Sequence, residues 1–228
     1  MSRSAERSLP AATGGGGPAP SSLGTPTLIS TGSYGPGGTN WGVAAGAAVP
    51  VGYTICAVGQ VNTADLTGLG DDAGNTWAVD TKTTYSSTGP FVGFLGHANT
   101  TTALTSTTNV NFYFTNGGSG SGTMYFEADI LTWTGTSTVL GTPQSTSGTS
   151  VTALSLSQAS VPAGALVIAS LGIDGGAGTI TYPAGWVSLG DANYLPLAYL
   201  VTTASGTVTA DFSWTTAVNA QLCLAVFT

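Results

Sequence analysis

Four groups of side chains in this chain have the types and spacing to do chemistry. In the stretch GDDAGNTWAVD, Asp71 and Asp72 precede Gly74, Asn75 and Trp77. Such a loop can hold calcium, recognise a sugar or form a tight turn. A dedicated calcium loop needs oxygen ligands at alternating positions and a distal bidentate glutamate, and Asp71 to Asn75 has neither. Glu127 and Asp129 are two apart in FEADILTW, so a strand puts both on one face. A hydrolase would use Glu127 with a partner acid at a set separation, whereas two acids on an exposed strand are ordinarily solvated. His97 is the only histidine, which allows one general base and removes a clustered-histidine metal site. In GFLGHANTT it is expected to be solvated or locally bonded near a strand end. Cys56 and Cys223 each lie inside an apolar run without CxxC spacing, and buried free thiols are expected.

Other motifs are missing. There is no G-x-S-x-G elbow, and the runs GGGG (14–17) and GGSGSG (117–122) precede no helix pattern, so they read as linker and hairpin loop. Trp41, Tyr85, Trp186 and Tyr194 have the chemistry to stack on sugars, although core packing also uses such rings. No catalytic residue, metal ligand or cofactor is expected from these patterns.

Composition bounds the function further. The chain has 228 residues, of which 42% are hydrophobic and only 6% charged, with 34 glycines. That supports one large core or two modest ones and is the opposite of a disordered composition. Arg3 and Arg7 stand near the start, leaving Lys82 as the only base of the body against nine of the ten acids. A nucleic-acid partner needs clustered cations and is not expected. The longest apolar runs, such as ALVIASLGI, are too short for a membrane span. The N-terminus lacks an apolar signal core, so synthesis in a cytoplasm is expected.

The elements that must position these residues are strands. From about residue 28 short alternating or apolar runs such as VNFYFTN, FEADILTWTG, VTALSLSQ and AQLCLAVFT are divided by Gly, Asn, Asp and Pro, with no helical period. An antiparallel, jelly-roll-like β-sandwich follows. It is duplicated: VPVGYTICAVGQVN from Val49 resembles VPAGALVIASLGID from Val161, and the likeness continues in order to EADILTW against QLCLAVF. A unit of about five strands is thus expected twice, over about 28–140 and 141–228, the halves sharing one sandwich or forming two closely joined ones. Within the repeat DAGNTW aligns with YPAGW, where Ala-Gly and Trp persist and the acids do not. The loop is therefore expected to be a structural turn. Gly74 supplies positive φ, Trp77 anchors the core, and Asp72 and Asn75 bond local backbone.

Residues 1–27 are a Gly/Pro-rich arm with too little apolar surface to order itself. The arm is expected to lie extended across neighbouring subunits, with Arg3 and Arg7 meeting acids or carbonyls there and Leu9, Pro10 and Leu23 in shallow apolar pockets.

The order VPxG with an apolar strand, DxAGNTW, NVNFYF and an acidic-aliphatic strand ending in WTG resembles β-sandwich virion proteins of tailed bacteriophages, over roughly residues 40–228. The resemblance implies capsid decoration, a head spike or a minor tail component, with other virion subunits as partners and a homo-oligomer such as a trimer. It supplies no catalytic residue, and the long arm departs from the family's pattern. The alternative is a carbohydrate-binding module or adhesin for a host-surface glycan, which would show a shallow groove with two or three exposed aromatics.

Overall fold

A computed structural model describes residues 23–34, 39–85, 91–115, 125–189 and 194–228. Among them every regular element is a strand and every pairing is antiparallel. The first half contributes β1 (Thr27–Tyr34), β2 (Asn40–Ala44), β3 (Tyr53–Asn62), β4 (Leu66–Asp71), β5 (Trp77–Tyr85), β6 (Phe91–Asn99), β7 (Asn109–Phe114) and β8 (Phe126–Thr134). The second contributes β9 (Gln144–Val161), β10 (Leu166–Asp174), β11 (Ile180–Thr181), β12 (Val187–Ser188), β13 (Leu197–Val201) and β14 (Gly206–Phe227).

The first half is a sandwich of an inner sheet, β1-β8-β3-β6-β5, and an outer sheet, β2-β7-β4. Its core holds Trp41, Phe94, Phe112 and Phe126. A full jelly roll would keep β5 beside β4, but here β5 pairs with β6. The second half repeats this plan with fewer breaks. β9 pairs with both ends of the long β14, as β1 pairs with β8 and β2 with β7. β11 takes the place of β4 beside β14, and β12 that of β5 beside β13. The repeated unit therefore has eight strand positions rather than five. Two pairs of strands have fused, at bends marked by register shifts between Ser213 and Ala220, so a reading that separates strands by their turns undercounts them.

The two halves meet through their inner sheets. Leu131, Trp133 and Leu95 of one pack against Leu166, Ile168 and Phe227 of the other, with Trp133 and Phe227 ring centroids 5.1 Å apart. The result is four layers, two sandwiches joined by a third core. This explains the sequence pattern of each strand. β3 and β10 are buried on both faces and read as continuous apolar runs, whereas β7 in an outer layer alternates buried with exposed or half-exposed positions.

A threonine confirms the duplication in atomic detail. The Thr100 hydroxyl donates to the Pro50 carbonyl at 2.6 Å and accepts from the Tyr53 amide at 3.0 Å. Thr202 does the same with Pro162 at 2.6 Å and Ala165 at 3.0 Å. Each locks the VPxG turn, whose Gly52 and Gly164 have φ of 84° and 81°.

Candidate functional site

The Gly70–Asp80 loop is a turn, and the sharing of labour among its acids differs from expectation. Gly74 and its counterpart Gly185 have φ of 81° and 83°, a backbone that glycine adopts freely. Trp77 and Trp186 pack against the cores of their respective halves. Asp71, rather than Asp72, ties the turn: its carboxylate accepts from the Asn75 amide at 3.1 Å, Asn75 Nδ2 at 3.1 Å and Trp77 Nε1 at 2.7 Å. Asp72 points across the sheet instead, accepting from Asn111 Nδ2 at 2.8 Å and Asn109 Nδ2 at 3.0 Å on β7. These bonds hold its carboxyl below the usual carboxylate value, the Asn111 side chain contributing most. The reason lies in register, because Asp71 ends β4 opposite Val110 and the next residue still faces β7, its amide donating to the Asn109 carbonyl at 3.0 Å. Asn75 bonds more than local backbone. Its Oδ1 accepts from the Thr101 and Thr102 amides at 2.8 and 2.9 Å and its Nδ2 donates to the Thr102 carbonyl at 3.0 Å, stapling the turn to the segment after β6.

His97 is neither solvated nor bonded only to its neighbours. Its Nδ1 lies 2.8 Å from Asp80 Oδ2, with Asp80's side chain 5% exposed, and its ring meets Phe227 edge-on at 5.3 Å. The β5–β6 register slips between Val79 and Thr81, leaving Asp80 as the extra residue of a bulge. A bulge re-aims a side chain, and this one turns a carboxylate toward the histidine. Nothing in the alternation of WAVDTKTTY announces it. Cys56 and Cys223 are both free and buried in the core between the halves. Burial, with a lesser push from the Asp80 charge, raises the Cys56 thiol well above its usual value. Burial likewise pushes Cys223 up to about 12.

Glu127 and Asp129 share a face, but the strand carrying them is not exposed. β8 lies between β1 and β3, and both acids are on the side turned toward the second half, where Asp129 is 3% exposed. Among the described residues no three His, Cys, Asp or Glu side chains cluster as metal ligands. Trp41 is a core residue, meeting Phe126 edge-on at 5.8 Å.

Where the inner sheets end, a cleft of about 620 Å³ opens across the junction of the halves. Its floor is Gln60 and Glu127, and its walls include Phe91, Asp174, Tyr125 and Tyr194. Gln60 Nε2 donates to Glu127 Oε2 at 3.0 Å and to the Ile173 carbonyl of the other half at 3.4 Å. Gln221 crosses the opposite way, donating to the Phe91 carbonyl. Each glutamine occupies space left by a glycine of the facing sheet: a Cβ on Gly172 would lie 2.9 Å from Gln60 Oε1, and one on Gly93 2.6 Å from Gln221 Oε1. A lone glycine inside a strand signals such a close approach, and these two were the available clue to the junction.

Arg3, Arg7, Leu9 and Pro10 lie outside the described residues. Leu23 is described and is not offered to a neighbour. It is buried in the core between the halves, beside Gly24, whose amide donates to the Thr134 carbonyl at 3.2 Å. Compared with known proteins, the chain matches no family and no curated protein.

Proposed function

We propose that this chain is a non-enzymatic structural protein on the exterior of a tailed-phage particle, attached to neighbouring virion subunits by its N-terminal arm. The observation that carries the non-enzymatic part is the use made of its ionisable side chains. The single histidine is closed off by Asp80 and Phe227, Asp71 and Asp72 hold the turn and the outer sheet, and Lys82 pairs with Asp65 at 2.9 Å. These bonds brace the turn, the outer sheet and the seam between the halves, and that use supports a role in shape. Four packed layers make a stiff block suited to a particle surface, and the resemblance of DxAGNTW and the acidic-aliphatic strand supplies the class of particle.

The test is quantitative mass spectrometry of particles purified from lysates of cells carrying the gene, comparing the full chain with one lacking residues 1–22. A fixed stoichiometry for the full chain and loss of the shortened one is the expected result. Particles free of the full chain overturn the virion role, and normal incorporation of the shortened chain assigns attachment to the sandwich instead.

A further inference from the structure

We infer that the cleft between the two halves is a binding site for an uncharged saccharide, with Tyr125 and Tyr194 as stacking platforms and Glu127 and Asp174 as hydroxyl acceptors. The site stands whether or not the chain belongs to a particle. Its volume, about 620 Å³, falls in the roughly 300–1,000 Å³ range of small-ligand sites.

Three observations converge there. The first is aromatic exposure. Among the described residues three large aromatics are exposed, Tyr113 on the outer sheet at 39%, Tyr125 at 61% and Tyr194 at 44%, and the two most exposed both line this cleft. A tyrosine left in water offers a flat apolar face and a polar tip, which suits a ring that is apolar on its faces and hydroxylated at its edge. The second is the character of the polar groups. Glu127 and Asp174 are acceptors, and each is already held by an amide, Glu127 by Gln60 at 3.0 Å and Asp174 by Asn219 at 3.3 Å. Carboxylates fixed in this way suit a ligand rich in O–H donors. They oppose an acidic one, since the chain's net charge is already −7.

The third is the polar cost of the seam beneath. Two sheets meeting face to face are ordinarily joined by apolar side chains, as Trp133 and Phe227 show elsewhere in this interface. Here two glutamines cross it, and neither Gln60 Oε1 nor Gln221 Oε1 has a donor. Such groups in a native fold call for an explanation. Positioning Glu127 at the cleft floor provides one for Gln60. Moreover, the two copies of the repeat differ at these positions. Gln60 and Glu127 of the first half correspond to Gly172 and Gln221 of the second. The cleft is therefore a feature of the joined molecule and not of either repeat.

The experiment is a glycan array carrying neutral, amino and sialylated oligosaccharides, probed with the intact chain, with hits titrated by calorimetry in low salt and in 0.5 M sodium chloride (about 4 Å Debye length). Tyr125→Ala and Tyr194→Ala are compared with the wild type after melting curves confirm folding, and Glu127→Gln tests the acceptor without changing shape. Expected are neutral hits whose affinity falls at least fivefold in each tyrosine variant and in Glu127→Gln, with little salt dependence. The inference is overturned if no neutral glycan binds, if the tyrosine variants bind as the wild type does, or if only cationic amino sugars bind and 0.5 M salt abolishes them.

Discussion

Phe227→Ala tests the claim that the two halves form one cooperative body. Phe227 is fully buried, its ring meets Trp133 at 5.1 Å and His97 at 5.3 Å, both residues of the other half, and its backbone bridges Val139. Truncating a buried phenylalanine to alanine destabilises by about 3–5 kcal/mol, through lost transfer energy and the cavity left behind. For a protein of this size each kcal/mol shifts the melting temperature by about 2–4 °C, so a fall of about 6–20 °C is expected. Because the ring belongs to β14 and its partners to β6 and β8, the whole chain should still melt in one transition, followed by calorimetry and by circular dichroism. Trp133→Ala in the same background should show a coupling of about 0.5–1.5 kcal/mol with Phe227→Ala, the range for an aromatic pair. Residues 28–140 or 141–228 alone expose an uncovered inner sheet and are expected to be insoluble. Two transitions, with only the later half responding to Phe227→Ala, or two soluble halves that melt independently, would refute the shared third core.

Further outcomes follow from the turn and the cores. Asp71→Ala leaves the Trp77 and Asn75 donors without their acceptor and should lower stability in chemical denaturation by at least about 1.5–3 kcal/mol, the range for one hydrogen bond to a charged group. Asp72→Asn should cost less, since that carboxylate is exposed. Because its folded pKa lies below the ordinary 3.8, its contribution is present above that value and is lost as pH falls through the folded one, so wild type and Asp72→Asn should converge in acid. Gly74→Val should cost about 1–3 kcal/mol from its positive φ alone, since nothing else lies near a Cβ there. Gly59→Ala meets the Phe94 ring at 2.4 Å and the Glu127 carbonyl at 2.6 Å, and should cost at least about 1–3 kcal/mol by overpacking at an ordinary φ. Native protein at neutral pH should not react with a thiol reagent until denatured. The raised thiols stabilise the fold below the ordinary value of 9.0, and this is lost as pH rises toward about 12 for Cys223. Prompt modification of the native protein would show that the core between the halves opens.

Much of this architecture is legible in the sequence because it rests on local rules. Strand period, turn glycines and the repeat of VPxG are properties of neighbouring residues, and they suffice for an all-β sandwich, for positive φ at Gly74 and Gly185, and for buried thiols inside apolar runs. What the sequence left open depends on pairing partners far apart in the chain. Whether Asp71 or Asp72 holds the turn is decided by where β4 ends against β7. The fate of His97 is decided by a one-residue slip between β5 and β6, which no alternation pattern records. The acids of β8 face inward because β1 covers one edge of that strand and the second half covers its face. The cleft exists only where two inner sheets, each apolar enough to be a core strand set in its own right, are pressed together with glutamines crossing toward glycines. Such contacts join residues more than a hundred positions apart, so their energies enter only when the tertiary structure closes.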